Sequence, residues 1–108
     1  MPFLDFLKEL DSDTRIEIIA AIDELIEWQN NKLQIPSSKA KYLRNKIFEM
    51  RVRHKNIISR SLYFLYEGKK IVFTNGFIKK TNRVPDIEIR KAEKLRNYYI
   101  SIKEGKND

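Results

Sequence analysis

Apolar residues recur at helical spacing through the first third of the chain. Phe3, Phe6, Leu7 and Leu10 mark one short amphipathic helix, and Ile16, Ile19, Ala20 and Ile26 mark a second. Between them stand Asp11, Ser12 and Asp13, residue types whose side-chain oxygens accept from the unpaired N–H groups of a first helical turn. The pattern predicts a helical hairpin whose second helix runs from about Asp13 to Trp28. Asp23, Glu24 and Glu27 then fall on or near its solvent face. A solvated acidic face is the better reading of these three than a magnesium site, because no strand-held partner accompanies them.

Asn30 and Asn31 end that helix, Pro36-Ser37-Ser38 marks a loop, and Ala40 to Arg44 is expected to add a turn of helix. From Ile47 the period changes to two. Phe48, Met50 and Val52 alternate with Glu49, Arg51 and Arg53, the signature of a half-buried strand. A turn around His54-Lys55-Asn56 leads into a strand from Ile57 to Tyr66, rich in aromatic and β-branched residues; Glu67-Gly68-Lys69 turns into a third strand from Lys70 to Phe77. Pro85 presets helical φ, Asp86 and Glu88 complement the helix dipole, and Ile89, Ala92, Leu95, Tyr99 and Ile102 form an apolar stripe. The fold expected is α+β: an N-terminal helical hairpin, a three-stranded antiparallel meander and a C-terminal helix, with helices covering one face of the sheet.

Composition narrows what such a fold does. The 108 residues suit one domain with one modest core. Apolar residues at 42% and charged residues at 34% place it among globular rather than disordered or membrane chains. With 22 Lys and Arg against 15 Asp and Glu the formal charge is +7, so polyanions are attracted before any specific contact forms. The absence of cysteine excludes disulfides, thiolate metal sites and a cysteine nucleophile, and one histidine excludes a His-rich zinc site. The N-terminus has acids among its apolar residues and no basic segment ahead of an apolar run, so it does not read as a signal peptide. No stretch approaches the roughly 20 apolar residues of a spanning helix, and a cytoplasmic location is expected.

Candidate chemistry gathers around the meander. Lys79-Lys80-Thr81-Asn82-Arg83 follows the third strand directly, where a rigid strand end could present a basic cluster to a phosphate. Arg51 and Arg60 lie mid-strand, where a solvent-facing sheet surface would offer both to one anion; the competing reading is a set of cross-strand pairs with Glu49 or another acid. Tyr63, Tyr66 and Phe77 on the sheet and Tyr98 and Tyr99 on the last helix are available for base stacking, although each taken singly fits a core position better. Tyr98 and Tyr99, being adjacent, cannot share a helix face, so at least one should be accessible. Histidine is the side chain best suited to general-base work, but His54 reads best as an exposed turn histidine.

These segments carry a resemblance. Leu43-Arg44-Asn45-Lys46-Ile47-Phe48-Glu49-Met50-Arg51 is similar to the Leu…Leu-Tyr-Glu-Leu-Arg strand of the phage-related branch of the HigB/RelE toxin superfamily. Ser59-Arg60-Ser61-Leu62-Tyr63-Phe64 resembles that branch's Tyr-Arg-x-Leu-Tyr-Phe strand. Gly76-Phe77-Ile78-Lys79-Lys80-Thr81-Asn82-Arg83-Val84-Pro85, with Glu88-Ile89 and Ala92, is similar to its Gly-Phe-x-Lys-Lys-Thr-x-Lys-x-Pro…Glu-Ile…Ala signature. Pro2-Phe3-Leu4-Asp5-Phe6-Leu7 looks like its first helix. The resemblance covers most of the chain. Three departures stand out: the branch's strand ahead of the first helix has no counterpart here, so the RelE-like sheet is expected to lack an edge; Asn75 stands where many relatives have His; and Arg83 replaces a common Lys.

The resemblance implies the toxin of a type II toxin–antitoxin pair, an endoribonuclease that cleaves mRNA, usually on the ribosome, through attack of the ribose 2′-hydroxyl on the adjacent phosphate without metal or cofactor. It implies Arg51 and Arg60 as the phosphate clamp, Lys79 or Lys80 as the group that moves the proton, and Phe77, Arg83, Tyr98 and Tyr99 as RNA-binding residues. The partner implied is a HigA-like antitoxin with a helix-turn-helix, in a toxin–antitoxin heterotetramer. Two other readings share the fold: a ParE-like toxin that poisons DNA gyrase, and a non-catalytic module that binds RNA or its antitoxin.

Overall fold

The computed structural model describes residues 1–78 and 83–105. The order is α1 (Pro2–Glu9), α2 (Ser12–Asn30), β1 (Ala40–Arg44), β2 (Ile47–His54), β3 (Ile57–Tyr66), β4 (Lys70–Ile78) and α3 (Asp86–Lys103). The α+β architecture expected from sequence is present and is broadly consistent with a RelE-like fold. The four strands form one antiparallel sheet in the order β1-β2-β3-β4.

The expected meander is therefore extended by one strand. Ala40 to Arg44, read from sequence as a turn of helix, pairs with β2 from Ala40↔Met50 to Arg44↔Ile47. The cause is the turn that follows. Asn45 and Lys46 hold φ of 49° and 69°, the paired left-handed conformation of a two-residue hairpin turn, which forces the flanking residues into antiparallel strands. The Tyr42 ring meets Phe48 edge-on at 5.2 Å, and its hydroxyl accepts from the Lys46 N–H at 3.0 Å.

Helices cover both faces of the sheet rather than one, because β3 is apolar on both. On one face Tyr63 joins Met50 and Val52 under α1 and α2, with Phe3, Ile18 and Leu25 buried above them. On the other, Leu62, Phe64 and Ile47 are buried under Ala92 of α3. Each such side chain contributes roughly 1.5–3 kcal/mol by leaving water. Phe3 stacks on Phe73 at 4.8 Å, and Phe6 packs over Gly76, the one residue type whose lack of a Cβ admits the ring.

α2 sits in a register different from the one expected. Its inward face carries Thr14, Ile18 and Leu25, whereas Ile16, at 63% exposure, Ile19 and Ile26 point outward. Apolar residues run around most of this helix, so spacing alone allows two inward stripes, and packing against the sheet selects one. The Asp11 carboxylate accepts from the Thr14 N–H at 2.8 Å, and hydrogen bonding to the Thr14 side chain, then to its backbone, holds the Asp11 pKa below the ordinary carboxylate value. Arg15 then donates to the carbonyls of Leu7, Lys8 and Leu10 at 2.8, 3.3 and 2.6 Å, satisfying acceptors at the end of α1 and fixing the hairpin angle. Asp23, Glu24 and Glu27 are solvated as expected.

α3 is tied to the β1–β2 turn by charge. Arg44 reaches Asp86 at 2.5 Å and Glu93 at 3.5 Å, and the Asn45 amide donates to Glu93 at 2.5 Å. The hydrogen bond from Arg44 holds the Asp86 carboxyl below its ordinary range and raises the guanidinium in turn.

Candidate functional site

Strand register decides which chemistry-bearing side chains meet. Arg51 on β2 lies directly opposite Arg60 on β3, and Arg60 lies directly opposite Phe77 on β4, so the three form one row across the sheet on the α3 face. Two arginines directly opposite each other repel and destabilise a strand pair. The same face resolves that conflict through Glu49, two residues before Arg51.

Glu49 is fully buried, and its two oxygens are divided between the two cations. Oε1 accepts from Arg51 Nε at 2.9 Å, and Oε2 accepts from Arg60 Nη1 at 2.6 Å. The arginines differ in access. The Arg60 side chain is 1% exposed, and that of Arg51 is 25% exposed. The expectation of one solvent-facing surface offering both guanidiniums is corrected here: Arg60 is interior and Arg51 stands at the surface. The alternative of a pairing with Glu49 holds for both, in a buried rather than a surface setting. Sequence reasoning treated Glu49 only as a surface partner. The available signal was an acid on the arginine face of β2, one diagonal step from Arg60.

The other candidates divide between this row and the far end of the sheet. Phe77 is in the row and half-buried. Lys79, Lys80, Thr81 and Asn82 lie outside the described residues; they follow Ile78, whose partner across the sheet is Ser59, the neighbour of Arg60. Arg83 is exposed one turn ahead of α3, close enough for its charge to lower the pKa of Asp86, after Arg44 and Arg90.

Tyr99 packs edge-on against Phe64 and Tyr66 at 5.5 and 5.3 Å, making it a core residue. Tyr98 is 59% exposed and lines an apolar groove of about 310 Å³ with Met1, Val72, Leu95 and Ile102. Phe64 is four residues along β3 from Arg60, about 13 Å at the rise of a strand. The structure therefore brings Arg51, Arg60 and Phe77 together and leaves Tyr98 and Tyr99 apart from them.

Asn75 is buried beside a bulge in β4, where the register passes from Leu62↔Asn75 to Tyr63↔Phe73. Its amide donates to the Glu88 carbonyl at 3.2 Å and to Glu88 Oε1 at 3.1 Å, and its oxygen accepts from the Thr74 hydroxyl at 2.6 Å. That joins β4 to the first turn of α3. His54 is half-buried rather than exposed, three residues beyond Arg51 at the end of β2.

The family comparison places this basic α+β domain, with its cross-strand arginine row, in a toxin-like family related to the RelE and HigB type. The model of the family described as Phage derived protein Gp49-like matches residues 5–97, and the chain belongs to that family. No curated protein and no solved structure matches the chain.

Proposed function

We propose that this protein is the toxin of a toxin–antitoxin pair and acts as a metal-independent endoribonuclease on mRNA, engaged at the ribosome. The observation that carries the reading is the Arg51–Arg60 row, set on paired strands in a chain of net charge +7 from a toxin-like family, with Lys79-Lys80 next in the sequence after β4.

Attack of a ribose 2′-oxygen on the adjacent phosphorus forms a P–O bond, breaks the bond to the 5′-oxygen, and leaves a 2′,3′-cyclic phosphate and a 5′-hydroxyl. The transition state gathers negative charge on the phosphoryl oxygens. A planar guanidinium fixed beforehand stabilises that charge without reorganising at the moment of reaction. Removal of the 2′ proton, and its return to the departing 5′-oxygen, falls to Lys79 or Lys80. Phe77 gives an aromatic ring beside the row for a flanking base, and Arg83 adds phosphate-binding charge.

An unrestrained activity of this kind would damage the host cell. The partner we propose is accordingly an antitoxin of the helix-turn-helix HigA kind that covers the basic surface, the pair assembling as a heterotetramer in the cytoplasm. The test is cleavage of a defined RNA by purified protein in excess chelator, with the ends of the fragments identified chemically. Cyclic phosphate ends, lost with Arg51→Ala and with the Lys79→Ala, Lys80→Ala double change, are expected. Intact RNA in both free and translated form would overturn the reading, and growth arrest with gyrase poisoning would replace it by a ParE-like one.

A further inference from the structure

Glu49 is fully buried and shared by two arginines. A carboxylate taken out of water needs a counter-charge, and Arg60, itself 1% exposed, supplies one at 2.6 Å. That pair is complete without Arg51. Yet the second oxygen of Glu49 holds Arg51 by Nε at 2.9 Å, and Arg51 is the guanidinium that reaches the surface. Fixing Nε fixes the guanidinium plane. Among the described residues the terminal nitrogens of Arg51 take no other hydrogen-bond partner, so they are left to a ligand.

The geometry points to Glu49 as a positioning residue: backed by Arg60, it orients Arg51 so that the terminal N–H pair of Arg51, and not Arg60, contacts the phosphate of the RNA. This rests on the ribonuclease reading and divides the roles of its two arginines. Arg60 acts from inside, through Glu49. Of the two, only Arg51 touches substrate, and its side chain, otherwise free to rotate about several bonds, is set before substrate arrives. A misplacement of about 1 Å at such a group lowers turnover by roughly a hundredfold while leaving long-range attraction for RNA in place.

The experiment is steady-state cleavage of a short RNA by wild-type protein, Glu49→Asp, Glu49→Gln and the double variant Glu49→Leu, Arg60→Met, with the fold of each checked by thermal unfolding. The double change replaces a buried ion pair by apolar side chains, a substitution that proteins often tolerate without loss of stability. It should stay folded and keep KM within about threefold, while kcat falls roughly a hundredfold. Glu49→Asp keeps the charge but draws the carboxylate back from Arg51, and a kcat loss with unchanged KM is expected there too. In the double variant, Arg51→Ala should cost far less than it does in wild type.

Wild-type kcat in the folded double variant would make Glu49 merely structural and overturn the inference, with the ribonuclease reading intact. A wild-type protein that cleaves no RNA would overturn both. If the variants do not fold, nuclear magnetic resonance of the wild type decides: the Arg51 Nε–H should exchange slowly with solvent as a held donor, and fast exchange would contradict the assignment.

Discussion

Replacing Gly76 by alanine sets two opposed effects against each other. The backbone at Gly76 is not left-handed, so alanine fits the local conformation, and such a change stabilises by about 0.4–1 kcal/mol through the unfolded chain. A methyl built there, however, meets Cδ2, Cε2 and Cγ of Phe6, all within 2.9 Å. Carbon atoms prefer about 3.5–4.0 Å, so the ring must retreat by about 1 Å. Phe6 lies 6.1 Å from Phe3, which is stacked on Phe73, and cannot retreat without loosening α1 from β4. Overpacking of this kind costs about 1–3 kcal/mol, which leaves a net loss of about 1–2 kcal/mol and a fall in Tm of about 4–8 °C for each kcal/mol lost. The assay is urea and thermal unfolding of wild type, Gly76→Ala, Phe6→Ala and the double variant. With Phe6 truncated the clash with its ring is removed, and Gly76→Ala should become neutral or stabilising. An equal cost in both backgrounds, or a raised Tm in the wild-type background, would refute the reasoning.

Three further outcomes follow from the packing and the charges. Arg15→Ala removes the guanidinium donor from the carbonyls of Leu7 and Leu10, leaving Leu7 only the Leu10 N–H, and should lower stability by about 1–2 kcal/mol in urea unfolding, with Arg15→Lys recovering only part of it. Tyr63 is buried, and burial pushes its phenol from the ordinary 10.0 up to about 12. The folded state therefore keeps a proton that the unfolded state releases, so stability should fall as pH rises from 10.0 towards about 12, and Tyr63→Phe should flatten that limb. Asp86 is shifted the other way by its hydrogen bond to Arg44. Its contribution is complete above the unfolded value of 3.8 and lost as pH falls through the lower folded value, so unfolding curves across acid pH should lose part of their slope in Asp86→Asn.

Strands and turns with strong local chemistry were legible in the sequence. β3 and the two hairpin turns flanking it fall where alternation and turn residues place them, and α3 begins at Pro85-Asp86 as its helix-start signals require. β1 was misread because Ala40 to Arg44 has little periodicity of its own; the information lay in Asn45-Lys46, a turn signal weaker than Asn-Gly. The register of α2 was misread because Ile16, Ile19 and Ile26 make as regular a stripe as the buried one, and only tertiary packing separates them. At the site, the residue types were visible but the depth was not. Alternation puts Arg51 and Glu49 on one face, yet whether that face is solvent or core depends on where α3 lands, some forty residues later in the chain. The role of Glu49 as the shared partner of two arginines is a product of register, and register between β2 and β3 follows from the Lys55-Asn56 turn rather than from either strand alone.

The central claim is that the arginine row serves RNA cleavage. Its most direct test is primer extension on cellular mRNA after brief induction of the protein, alongside growth, for wild type and for Arg51→Ala shown to be folded by its thermal unfolding. Discrete cuts in translated messages together with growth arrest, both abolished in Arg51→Ala, are the expected result. Messages that remain intact while growth stops, or cuts that persist at wild-type level in Arg51→Ala, would contradict the account.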